Sequence, residues 1–112
     1  MDYGRYEMPT KLGRISEADI YDDALRLAKS QPNGWIATSD LITELTEIFQ
    51  PQGEDAEILE GRHDTKFSQI VRNMISHKST PTNIIALGYA EYKSHGLQIT
   101  PAGEAYLKSK GL

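Results

Sequence analysis

The 112-residue sequence predicts a mainly α fold carrying one small β-hairpin, an α+β domain, and three observations predict it. Three segments repeat apolar residues at the helical period, and a fourth opens with a capping residue followed by proline. Two short runs near the C-terminal end read as strands around a turn-forming stretch. The length fits one domain with a single core, and 38% hydrophobic with 25% charged residues places the chain among globular proteins.

Each element follows from local chemistry. Residues 1–15 show no period and hold Gly4, Pro9 and Gly13, so they read as an extended arm in which Arg5, Lys11 and Arg14 are placed to follow a phosphate backbone. The domain proper is expected over 16–112. Ser16, with Asp19 at the third helical position, opens a first helix over 16–30 with Ile20, Tyr21, Ala24, Leu25, Leu27 and Ala28 on its apolar face. Pro32, Asn33 and Gly34 end it, and Trp35, Ile36 and Ala37 form one short strand. Thr38 or Ser39 then caps a second helix with Leu41, Ile42, Leu45, Ile48 and Phe49 on one side. Pro51 and Gly53 stop it, and an acidic stretch over 54–61 follows with Ile58 and Leu59 as anchors.

Asp64 is expected to cap the clearest helix, over 64–78. Its stripe is Phe67, Ile70, Val71, Met74 and Ile75. The opposite face carries Thr65, Gln69, Arg72, Asn73 and Ser76, flanked by Lys66 and His77. No acidic residue occurs between Thr65 and Lys78. A link containing Pro81, Ile84, Ile85 and Leu87 leads to Gly88. Residues 89–92 and 97–100 then form a hairpin around Lys93, Ser94, His95 and Gly96. Thr100 and Pro101 start a last helix with Ala102, Ala105, Tyr106 and Leu107 facing inward.

Net charge is −4, but it is unevenly spread. Residues 1–60 hold thirteen Asp/Glu against five Lys/Arg, whereas residues 61–112 hold three against seven, with all three histidines. A basic face on an acidic body suits a polyanion, because the local field matters more than the total. The plainer account is that the first two helices have acidic solvent faces.

The order helix, short strand, helix, helix, hairpin, helix matches a winged helix-turn-helix layout. The tail GYAEYKSHGLQITPAGEAYL resembles the wing and "ITxxG" helix start of winged-helix proteins, through Ile99, Thr100 and Gly103. Over residues 16–108, the stretch EILEGRHDTKFSQIVRNMISHK set before that wing resembles the N-terminal winged-helix domain of Mrr-type restriction endonucleases and related restriction-associated modules. The resemblance implies a domain that recognises or tethers duplex DNA, with Arg62, Thr65, Lys66, Gln69, Arg72 and Asn73 at the start and outer face of the DNA-facing helix. It departs in one place. The family's third helix runs almost directly into the wing glycine, whereas here residues 79–87 intervene, leaving the wing's orientation open. The family's nuclease domain has no counterpart in these residues.

The residue types suit double-stranded DNA. Arg72 can pair bidentately with guanine, and Gln69 or Asn73 with adenine, each worth about 1–3 kcal/mol of discrimination. Thr65, at the helix start, offers a hydroxyl and amides to a phosphate. Ser76 joins the outer face. Lys66, His77, Lys78, Lys93 and His95 suit phosphates, with Ser94 beside them at the wing tip. The expected role is a non-catalytic DNA-binding protein, restriction-associated or a transcription regulator. The alternative is a protein-interaction winged helix, an accessory subunit beside a nuclease or other partner. Homodimerisation is compatible with either.

Other classes find little support. There is no cysteine, so disulfides and thiolate metal sites are excluded. The histidines lack paired metal-ligand spacing, and no cofactor motif occurs. Glu91-Tyr92-Lys93 and Asp64-Thr65-Lys66 have the E-x-K and D-x-K forms of nuclease metal sites, but such sites need a covered central sheet that this pattern does not provide. No apolar run has membrane-spanning length and no signal segment is visible, so a cytoplasmic protein without membrane contact is expected.

Overall fold

The computed structural model describes residues 15–51 and 65–112; the arm up to residue 14, the acidic stretch, Arg62 and Asp64 lie outside them. Among the described residues the fold is α+β, with four helices and one three-stranded antiparallel sheet. In chain order these are α1 (Glu17–Lys29), β1 (Trp35–Ala37), α2 (Thr38–Phe49), α3 (Lys66–Ser76), β2 (Ala90–Lys93), β3 (Gly96–Ile99) and α4 (Pro101–Ser109). The sheet order is β1-β3-β2, so the hairpin's second strand is central.

Helix α1 is the hub, packing on α2, α3, α4 and β3. Its start follows the expected chemistry: the Asp19 carboxylate accepts a hydrogen bond from the Ser16 amide at 2.9 Å. Ile20, Ala24, Leu25 and Ala28 are buried, with Tyr21 and Leu27 partly so. Gly34, at φ +71, turns the chain into β1, where the Gly34 carbonyl accepts from the Ile99 amide. Ile15 packs at the edge of the same core. Fully burying a side chain such as Leu25 or Phe67 is worth about 1.5–3 kcal/mol, so this shared core is what fixes the helices relative to the sheet.

Helix α2 departs from expectation at both ends. Ala37, not Thr38 or Ser39, occupies the cap position, and Thr38 is the first helical residue. The Thr38 amide and hydroxyl instead both donate to the His95 carbonyl, at 3.0 Å each. Leu41 and Leu45 are buried, but Ile48 is 51% exposed. The last turn directs Phe49 toward Phe67, ring centroids 5.9 Å apart, and leaves Ile48 outside.

Helix α3 is shorter than the expected 64–78. Thr65 is the cap: its hydroxyl accepts from the Ser68 amide at 3.1 Å while the Ser68 hydroxyl receives the Thr65 amide at 3.0 Å. The reciprocal pair uses a serine where glutamate or glutamine is usual. It also buries Ser68, beside Phe67, Val71 and Met74. Ile70 and Ile75 flank the buried line. Beyond Ser76 the following segment takes over the Met74 carbonyl. Asn83, fully buried, donates from Nδ2 to the Met74 carbonyl at 2.7 Å and accepts the Ile85 amide at 2.7 Å. With Ile84 also buried, residues 79–88 form largely exposed turns anchored on the core at Asn83 and Ile84.

The hairpin is tighter than the four-residue turn expected. Lys93 pairs with Gly96, leaving Ser94 and His95 as a two-residue turn at φ +53 and +61. That combination is the type I′ geometry that matches strand twist. Trp35 donates from Nε1 to the Lys93 carbonyl at 2.9 Å, and its ring lies so close to Gly96 that any side chain there would overlap it. In α4, the Thr100 hydroxyl accepts the Gly103 amide at 3.0 Å and Pro101 follows. Gly103, buried against the Tyr89 carbonyl, defines the inner face with Tyr106 and Leu107, so Ala102 and Ala105 are exposed rather than inward.

A polar clamp joins α4 to α1. Asp22 accepts from the Tyr106 hydroxyl at 2.7 Å and from Lys110 at 2.8 Å. Tyr106 stacks on Tyr89, centroids 4.5 Å apart. Partial burial works against the Asp22 carboxylate, but the hydrogen bonds from Lys110 and Tyr106 and the lysine charge outweigh it and hold its pKa below the ordinary value. The same partners raise the Lys110 pKa. Among the described residues no helix is long and apolar enough to cross a membrane.

Candidate nucleic-acid interface

The polar face of α3 and the hairpin turn open onto one cleft of about 540 Å³. Arg72 and Ser76 come from α3, Ser94 and His95 from the turn. Ile75, Tyr92, Trp35, Ala37, Thr38 and Ser39 complete the wall, and none of these lining residues is acidic. The arrangement is built by two long-range ties. Thr38 holds the His95 carbonyl, and Trp35 holds the Lys93 carbonyl, so the hairpin tip is fixed relative to α2 and β1. The Tyr92 hydroxyl lies 3.4 Å from His95 Nδ1, a long contact within the turn.

The expected interface residues divide into three groups. Arg72, Ser76, Ser94 and His95 are brought together and exposed. Gln69 and Asn73 are half-buried and bonded to each other, Gln69 Nε2 donating to Asn73 Oδ1 at 2.8 Å. That bond is the familiar i, i+4 pairing on a helix surface, and it occupies one group on each amide that a base would otherwise engage. Lys78 is exposed in the turn after α3, and Lys93 is exposed on β2 outside the cleft lining.

Others are engaged elsewhere. The Thr65 hydroxyl and amide serve its own helix cap, and it lies at the opposite end of α3, about 10 Å by helical rise from Arg72, the nearest α3 residue of the cleft. Lys66 is half-buried in that first turn. His77 turns toward α1, with Nδ1 2.7 Å from Glu17 Oε2, rather than toward the hairpin side. Arg62 lies outside the described residues.

Sequence reasoning passed over Trp35, Thr38, Ile75 and Tyr92 as parts of this cleft. The first two are placed by contacts with residues about sixty positions away, which no local pattern announces. Ile75 reads as core because it lies on the apolar stripe, yet it sits at the stripe's margin and is only partly buried. Tyr92 had a weak signal: it alternates with buried Ala90 along a strand that runs past the core into the turn.

Chemically, the cleft offers a guanidinium, an imidazole and several hydroxyls beside an aromatic and an aliphatic surface. Such a set can hold an anion and a flat apolar group at once. Comparison with protein-family models, with curated proteins and with solved structures finds no match to this chain.

Proposed function

We propose that the chain is a non-catalytic winged-helix protein that binds double-stranded DNA, with α3 directed to the major groove and the β2-β3 hairpin acting as the wing on the backbone. One observation carries the reading. Arg72 and Ser76 on α3 and Ser94 and His95 on the hairpin turn line the same cleft, which has no acidic residue among its described lining, so helix and hairpin tip are placed to meet one ligand together. The absence of acidic residues from α3 and the basic balance of residues 61–112 support it. A restriction-associated or regulatory setting rests on the sequence resemblance alone.

The test is a duplex titration by fluorescence anisotropy at several salt concentrations. Binding should weaken as salt rises, log K falling by about 0.9 per phosphate contact. Arg72→Ala should relax sequence preference, whereas Lys93→Ala should weaken all duplexes alike. Failure to bind any duplex at low salt overturns the reading.

A second reading, a module docking a protein partner, is favoured by Ile48, half exposed on a helix whose outer face carries Glu44 and Glu47. It predicts a partner lost on Ile48→Glu and retained on Arg72→Ala.

A further inference from the structure

We propose that the cleft between α3 and the hairpin turn is a ligand site in its own right, taking one nucleotide with its phosphate at Arg72 and its base against Tyr92 and Ile75. The size fits: about 540 Å³ lies within the span of small-molecule sites. The lining is mixed in the way such a ligand needs. Arg72 presents a fork that matches phosphate oxygens, with Ser76 and His95 as further polar groups beside it. No carboxylate among the lining residues repels an anion.

Tyr92 supplies the surface for the base. Its strand partner Leu97 is fully buried, yet Tyr92 itself is 38% exposed and lines the cleft. A partly exposed aromatic side chain in the same cleft as a cation supplies the two kinds of surface on which an unstacked base and its phosphate rest. The site is also pre-formed, since Thr38 and Trp35 fix both ends of the turn through backbone carbonyls. Little ordering is left for the ligand to impose.

The same cleft would take a whole unpaired base where a duplex offers it only a phosphate or a base edge, because a paired base stays stacked. The shared chemistry is a nucleoside phosphate, which reaches the protein either as a free mononucleotide or as a unit of an unpaired strand. Trp35, the single tryptophan of the chain, lines the cleft and serves as reporter.

The experiment titrates the whole protein with deoxyadenosine monophosphate, adenosine, ribose 5-phosphate and a short single-stranded oligodeoxyadenylate, reading Trp35 emission. The monophosphate should give a saturable change, and adenosine and ribose 5-phosphate should bind at least about tenfold more weakly. Arg72→Gln should weaken the monophosphate by about tenfold or more. Tyr92→Leu should weaken the ligands that carry a base by about fivefold or more, and leave ribose 5-phosphate unchanged. A strand that binds more tightly than the monomer identifies the unpaired strand as the source; equal affinities identify the free nucleotide.

Backbone amide shifts of the wild-type protein provide the second readout, should a variant fold poorly. Addition of the monophosphate should move Arg72, Ser76 and His95. No saturable response up to about 10 mM, beyond the millimolar range of a weak small ligand, overturns the proposal. So does ribose 5-phosphate binding as well as the monophosphate, or both variants binding it like wild type. Duplex binding without nucleotide binding overturns this proposal alone; nucleotide binding without duplex binding overturns the duplex reading alone.

Discussion

Single residues set the shape of the hairpin tip and the strength of the α1-α4 contact. Ser94 and His95 both hold positive φ without being glycine, a conformation that favours Asn-Gly in this turn type. Replacing them together, Ser94→Asn with His95→Gly, should raise stability by about 1 kcal/mol. Thermal unfolding checks this, with Tm expected to rise by about 4–8 °C. Loss of affinity for the cleft's ligand should accompany the gain, because His95 is part of the wall. Asp22 works differently. Its folded pKa lies below the unfolded value, so its contribution is present above the ordinary carboxylate range and is lost as pH falls through the folded value. Asp22→Asn should therefore cost about 1 kcal/mol at neutral pH, a modest figure because solvent reaches the cluster. The wild-type advantage should shrink toward zero in acid, as urea denaturation at several pH values would show.

At the scale of elements, what was legible in sequence was whatever is decided locally. The α1 start follows from Ser16 and Asp19, the α3 core face from Phe67, Val71 and Met74, and the α4 start from Thr100 and Pro101. Two of the misses originate in contacts distant along the chain, and a third in an unusual local cap. Thr38 leaves its expected capping role because the His95 carbonyl claims its amide and hydroxyl. His77 leaves the expected phosphate-binding set because Glu17 stands beside it. Ser68 is buried in a polar cap that a search for glutamate or glutamine at that position overlooks. The site was legible to a similar degree. Its α3 members could be read from helical period, whereas the aromatic wall required the sheet. The hairpin's orientation, left open in sequence by residues 79–87, is held at the tip by Thr38 and Trp35, while Asn83 and Ile84 anchor the intervening segment on the core. Asn83→Ala would leave the Met74 carbonyl and the Ile85 amide without their partner, and should cost about 2–3 kcal/mol. Amide hydrogen exchange should then accelerate over residues 79–88 and at the end of α3, before the rest of the core.

Across the described residues two regions are chemically distinct. One is closed by the Asp22, Tyr106 and Lys110 clamp between α1 and α4. The other carries the cleft shared by α3 and the hairpin turn, with no acidic residue among its described lining. A net charge of −4 is compatible with a polyanion on the second region alone, since screening limits surface charges to about 8–10 Å at physiological salt. The account therefore depends on which region a duplex meets. Backbone amide shifts recorded during a low-salt duplex titration test this most directly. Perturbation concentrated at Arg72, Ser76, Ser94 and His95, with Asp22 and Lys110 unmoved, is the result the account predicts. Perturbation centred on α1 and α4, or none at any residue, would contradict it.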